Sequence, residues 1–351
     1  MTTGRSLRAL PKAHLHLHLE GSARPETMRE LGARAGLAVR DYRSFSGWED
    51  FLALYRHAVT SVLTLDDLTR LCRELVEDEA AQGVRYVEPH VNLFGSGYVP
   101  RFGPADEVWS AVREAFVSVA HATGVEVNVV VASIRDLPPA LAEEAAMFGA
   151  EHAHDGIAAF GLAGSEHLVP AADFSRAAAI AREAGLLVVP HAGELCGPES
   201  VVDAVDELGA SRIAHGVRAV EDREVLTRLG AEDVACDVCI TSNVALGIVQ
   251  AVDAHPLPQL IDAGVPVTLG ADDSLMFGAG IADEYALARE VFELDDETLA
   301  AIARTSVTAS GADAATKARL LAEIDDWLAA PPSDDAAPGH AAPGDSAQAR
   351  A

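Results

Sequence analysis

The sequence predicts a (β/α)8 barrel of the TIM type. Short apolar, β-rich runs occur eight times and alternate with helical patterns, which implies parallel strands joined by helical crossovers. A length of 351 residues accommodates eight such repeats with helical insertions after the first strand. An open doubly wound sheet would place a Gly-rich phosphate turn after that strand. Here the strand ends in His18-Leu-Glu-Gly21 instead.

The first run, Lys12–Leu19, alternates Leu with His. Helices after Pro25 and around Trp48–Gln82 form the insertions. The second run is Val84–His90, the third Val125–Ala132 and the fourth Ile157–Ala163. Ala171–Ala184 then reads as a helix stopped by Gly185, and Leu186–His191 as the fifth strand. Pro198–Leu208 has Pro in its first turn and Gly209 beyond its end, a helix bounded at both sides. Arg212–His215, Val234–Ile240 and Val265–Gly270 complete the set. From Pro331 to Ala351 the chain is mostly Pro, Ala, Gly, Ser and Asp with no large apolar residue, so a disordered tail is expected behind one domain spanning 1–330.

Composition narrows the function classes. Apolar residues make up 49% and charged residues 23%, which is globular. The net charge of -28 repels nucleic-acid phosphates and anionic lipid, so the expected partner is a small molecule and water, with no nucleic-acid polymer and no membrane. No apolar run spans a bilayer, and Met1–Leu10 carries Arg5 and Arg8 without a hydrophobic core after them. Four cysteines in such a chain are no disulfide scaffold. A reduced, cytoplasmic enzyme is the expectation.

In a regular strand side chains alternate with period two, which places His14, His16, His18 and Glu20 on one face. Imidazoles buried in a barrel need partners, and two of them two residues apart reach one metal ion. Three further strands end in chemistry-bearing residues: His191-Ala-Gly-Glu194, His215-Gly216 and Asp272-Asp273. All fall at carboxyl ends, where barrel active sites lie. Two histidines of the row, a third histidine and an Asp make a Zn²⁺ set with room for a water, while Glu194 and His215 are candidate proton carriers. A metal lowers the pKa of its water toward neutrality, so the pattern reads as metal-assisted hydrolysis.

Pro11-Lys-Ala-His-Leu-His-Leu-His-Leu-Glu-Gly21, Leu162-Ala-Gly-Ser-Glu166, His191-Ala-Gly-Glu194, Ile213-Ala-His-Gly216, Thr241-Ser-Asn-Val244 and Ala271-Asp-Asp-Ser274 resemble, in order, the adenosine and adenine deaminase family of the amidohydrolase superfamily. The resemblance implies one Zn²⁺ per subunit held by His16, His18, His191 and Asp272. It implies that Glu194 protonates the purine ring and that His215 orients and deprotonates the water. It places His18, Gly164 and Asp273 against the purine, with His14 a neighbour of the matched pair. Glu20 stands where adenosine deaminases carry Asp, the residue that meets the ribose; adenine deaminases carry Glu there. Leu162-Ala-Gly-Ser-Glu166 is closer to the nucleoside branch, while Val87–Phe94 lacks the arginine of adenosine deaminases. The expected reaction is hydrolysis of adenosine or deoxyadenosine to inosine or deoxyinosine with release of ammonia. Adenine and aminodeoxyfutalosine, an intermediate of menaquinone biosynthesis, are the alternatives. A catalytically dead relative would need a broken ligand set, and a two-metal hydrolase would need a Lys at a strand end; neither feature is present.

Other signals are set aside. Cys236-Asp-Val-Cys239 is a CxxC, but a strand turns its cysteines to opposite faces, and both read as small core residues, with Cys196 as filler. His152, His154, His167 and His255 belong to no motif. Trp48–Tyr55 lies in the region that covers the family's pocket, yet Phe51, Leu54 and Tyr55 also make an amphipathic face, and packing is the favoured role.

Overall fold

The barrel wall follows the chain. The computed structural model, which describes residues 4–332, places eight parallel strands in order: β1 (Lys12–His18), β2 (Val84–Val91), β3 (Val129–Ile134), β4 (Ile157–Ala163), β5 (Leu187–Ala192), β6 (Arg212–His215), β7 (Ala235–Val238) and β8 (Val267–Leu269). The seam between β8 and β1 closes through one bridge, Leu17 to Asp272. There the amides of His18 and Asp272 donate to the carbonyls of Asp272 and His16, each at 3.1 Å. This is the (β/α)8 fold expected. The tail expected at 331–351 falls, beyond Pro332, outside the described residues.

Several strand bounds shift from those expected, β8 shrinking from Val265–Gly270 to Val267–Leu269, and two of the departures have a clear cause. The third is split: Glu126–Val127 pairs separately with β2, and β3 starts after Asn128, whose side-chain amide donates to the Tyr86 hydroxyl at 3.0 Å. The seventh stops at Val238 because Ile240 already opens a helix, Ile240–Ala245. The amides of Ile240 and Thr241 donate to the Glu284 carboxylate at 2.7 and 3.2 Å, so two otherwise orphaned helix N-terminal donors are satisfied.

Three helices fill the insertion after β1: α1 (Pro25–Arg34), α2 (Gly47–Ser61) and α3 (Leu65–Ala81). Proline at the first position of α1 and a Thr64–Asp67 capping box on α3 set their starts. The main core lies between the strands and the outer helices, whereas Val130, Ala159 and Val189 form a small cluster apart from it. The barrel interior also holds charge. Arg212, wholly buried on β6, bonds Glu88 at 2.9 Å and Asp237 at 2.6 Å. Glu88 further accepts from Tyr86 and from the Gly311 amide, and Asp237 accepts from Thr268, so the charges leave the solvent only with partners.

The expected common face of His14, His16, His18 and Glu20 does not form. His14 pairs with Val87 and Leu17 with Pro89, so three steps along β1 match two along β2. One extra residue is a β-bulge, and it inverts the alternation. His14 therefore turns toward the helical layer. Its Nδ1–H donates to Glu79 of α3 at 2.7 Å, and its Nε2 accepts the Ala271 amide at 2.9 Å. His16 and His18 face the interior.

Candidate active site

Five strand ends converge at the carboxyl end of the barrel. β1 brings His16, His18 and, just beyond, Glu20; β5 brings His191 and then Glu194; β6 brings His215; the turn after β8 brings Asp272 and Asp273. Gly164 follows β4. All except His16 line one cavity of about 330 Å³ together with residues of α2. His16 lies directly beneath, its ring centroid 4.9 Å from His191 and 4.6 Å from His215.

The imidazoles are preset as acceptors. His16 Nδ1–H donates to the Asp237 carbonyl at 3.3 Å and His191 Nδ1–H to the Leu162 carbonyl at 3.1 Å. Each ring therefore presents its Nε2 lone pair, and Nε2 of His16 is buried without a hydrogen-bond partner. One ligand atom each from His16, His18 and His191 lies within 4.8 Å of the others, as do atoms of Glu194, His215 and Asp272. Asp272 Oδ1 lies 3.7 Å from His16 Nε2 and 3.4 Å from His18 Nε2. Burial lowers the pKa of His18 to about 4 and holds that of His191 far below its ordinary value, so both are neutral. Neutral imidazoles, an orphaned lone pair and a facing carboxylate are the donor set a divalent metal requires.

The acids are shifted in opposite directions. Burial, and then the neighbouring Asp272, push Glu194 well above the usual carboxyl range, which favours its protonated form. Burial also opposes ionisation of Asp272, but the three imidazoles of His16, His215 and His18 and the Ser242 hydroxyl, at 2.5 Å, hold its pKa down. Burial and the adjacent Asp272 raise Asp273 strongly. Asp273 fits only because residue 21 is glycine: a Cβ there would stand 1.5 Å from Asp273 Oδ1. Backbone strain marks the same centre, since His215 (φ 70°) and Asp272 (φ 57°) are non-glycine residues in the left-handed region.

Supporting residues absent from the sequence-based set surround these. Glu166 accepts the amides of Glu194 and Cys196 at 3.0 and 2.7 Å, which fixes the turn carrying Glu194. Glu20 accepts from the hydroxyls of Tyr55, at 2.9 Å, and Tyr98. Tyr98 carries no local signature that could have revealed it. His90 packs its ring 5.5 Å from His16 with both nitrogens unpartnered. Cys239, read as core, lies with Sγ 3.5 Å from His16 Nδ1. Trp48, Phe51 and Tyr55 of α2 line the cavity as well as pack, so the packing role favoured by the periodicity is incomplete. Trp48 Nε1–H reaches Ser165 across the mouth at 3.1 Å.

A closed parallel barrel with a histidine–carboxylate cluster and a buried Glu at its carboxyl end defines a metal-dependent hydrolase. Comparison with known proteins names the family. The sequence matches the adenosine deaminase family over residues 11–327. A Streptomyces coelicolor protein described as a putative adenosine/adenine deaminase is 41% identical, with 93% of this chain and 99% of that protein covered. The aminodeoxyfutalosine deaminase of Streptomyces avermitilis is 38% identical, with coverages of 93% and 95%. The crystal structure of adenine deaminase from Arthrobacter aurescens superposes with a TM-score of 0.84 at 32% identity, covering 91% of this chain and 99% of that one. The chain belongs to the adenosine deaminase family, hydrolases that use a metal to cleave amidine C–N bonds, and it deaminates an adenine-type substrate.

Proposed function

We propose that the protein is a zinc enzyme that converts free adenine to hypoxanthine and ammonia. Glu20 carries this reading. Its carboxyl group is buried, and its two oxygens accept from Tyr98 and Tyr55. Held by both tyrosines, the group keeps one orientation and has lone pairs left for a single further donor. The N–H that replaces the glycosidic bond in free adenine is a single donor, which a fixed carboxylate serves. The adenine deaminase likeness supports this substrate over adenosine, the first expectation from the motifs.

His16, His18, His191 and Asp272 would hold the metal. Zinc bound there supplies a Lewis acid that activates water near neutral pH. Glu194, whose pKa burial raises, gives its proton to the ring nitrogen beside the carbon that is attacked. Gly164 offers a backbone amide to the base, and Asp273 a carboxyl group to its imidazole side.

A second reading rests on the shape of the cavity, which runs past Glu20 to Arg56, Thr60, Asn92 and Ser96. That reach suits an adenine nucleoside with a large 5′ substituent, such as aminodeoxyfutalosine. Ammonia release from adenine, adenosine, deoxyadenosine and aminodeoxyfutalosine separates the readings. Adenine should give the highest kcat/KM, and Glu20→Ala should lower it about 10- to 100-fold, the loss of one hydrogen bond to a charged group. Turnover of aminodeoxyfutalosine without adenine would favour the second reading. A preference for adenosine would return the first expectation.

A further inference from the structure

His215 is joined to a chain of hydrogen bonds that runs away from the cavity. The Leu257 amide donates to His255 Nδ1 at 3.1 Å. An amide can only donate, so His255 Nδ1 is an acceptor, and the proton of the neutral ring is on Nε2. Burial lowers the pKa of His255 to about 4, consistent with a neutral ring. His255 Nε2–H meets Asn243 Oδ1 at 3.1 Å, and Asn243 Nδ2 lies 3.2 Å from His215 Nδ1. With its oxygen facing a donor, Asn243 presents N–H to His215. His215 Nδ1 must accept, and its Nε2 must carry the proton. That Nε2 points into the site, 3.5 Å from Glu194 and 3.9 Å from Asp272.

We propose that His255, acting through Asn243, fixes His215 in the Nε2–H tautomer, so that His215 enters the reaction as a hydrogen-bond donor and not as a resting base. His255 and Asn243 are positioning residues. Every member is buried, and polar groups in such a place are fixed by their partners because water cannot stand in for them. The two ends are anchored independently: Leu257 opens the helix Leu257–Asp262, and Asn243 sits in the helix Ile240–Ala245, held at its N-terminus by Glu284. A donor at this position stabilises negative charge on the oxygen that attacks the ring carbon. The base assigned to His215 by family resemblance would require a lone pair where this network places a proton. The proposal rests on the deaminase reading of the site, but tautomer identity can be measured without any substrate.

The test uses full-length protein labelled with ¹⁵N-histidine. In the wild type, His215 should show a protonated Nε2 and a pyridine-like Nδ1 in long-range ¹H–¹⁵N spectra. Asn243→Asp offers only acceptors, so it should move the proton to Nδ1. In the same variant kcat should fall about 10- to 100-fold, with KM and bound metal unchanged. His255→Ala frees the Asn243 amide to rotate and should give a mixture of the two His215 tautomers. His255→Gln, which keeps a donor toward Asn243 Oδ1, should restore the wild-type signal. A wild-type His215 protonated on Nδ1, or a His215 spectrum unmoved by both Asn243→Asp and His255→Ala, overturns the proposal. A tautomer shift with unchanged kcat would overturn the donor role. Inactivity toward adenine alone bears on the substrate reading and leaves the tautomer result standing.

Discussion

Glu194 shows how far a single residue's chemistry depends on its surroundings. As a carboxylate it could only accept protons; burial beside Asp272 raises its pKa and favours the form that can give one. Glu194→Gln keeps the shape and loses the proton, so kcat should drop at least the ~10²-fold typical of a missing general acid, while elemental analysis finds the metal still bound. Near-normal turnover would move the proton donor elsewhere. Its place in the site was legible from His191-Ala-Gly-Glu194, because a strand end carries a fixed direction. The same holds for His16, His18, His215 and Asp272, which the fold brings together. His255 and Tyr98 were not legible. Each reaches the site through one long-range hydrogen bond, and no local periodicity encodes such a contact.

At the scale of elements, period two predicted the strands well but misjudged the first of them. A bulge leaves no mark in a sequence that alternates His and Leu throughout, so the outward turn of His14 becomes visible only in the pairing with β2. The helix Ile240–Ala245 was hidden for a related reason: apart from Asp237, Val234–Ile240 is apolar to its end, and the stop is imposed by Glu284 from a distant helix. Burial raises the Glu284 pKa to about 7 from an ordinary carboxyl value of 4.5. Between those values the folded chain holds a proton that the unfolded chain has released, so stability falls as pH rises across that window. The loss attributable to Glu284 is roughly 3 kcal/mol. Glu284→Gln should flatten the decline in urea midpoint between pH 4.5 and 7, and an unchanged slope would assign it to other groups.

At the scale of the molecule, the barrel is sealed at one end by chemistry and within by charge. Arg212→Met leaves Glu88 and Asp237 buried without their cation. The expected cost is about 3–5 kcal/mol, read as a lower urea midpoint for the whole barrel; a loss below 1 kcal/mol would show that water enters to replace it. No helix among the described residues is long and apolar enough to cross a membrane. The seam at Leu17–Asp272 ties these scales together. Asp272 gives its backbone to the last pairing of the sheet and its side chain to the proposed ligand set, so the cylinder is fastened at the candidate reaction centre. With Asp272 as a ligand, loosening that fastening and letting go of the ion become one event. The amide protons of His18 and Asp272, both spent on the seam, should exchange with solvent slowly in the loaded protein and quickly once a chelator has emptied it.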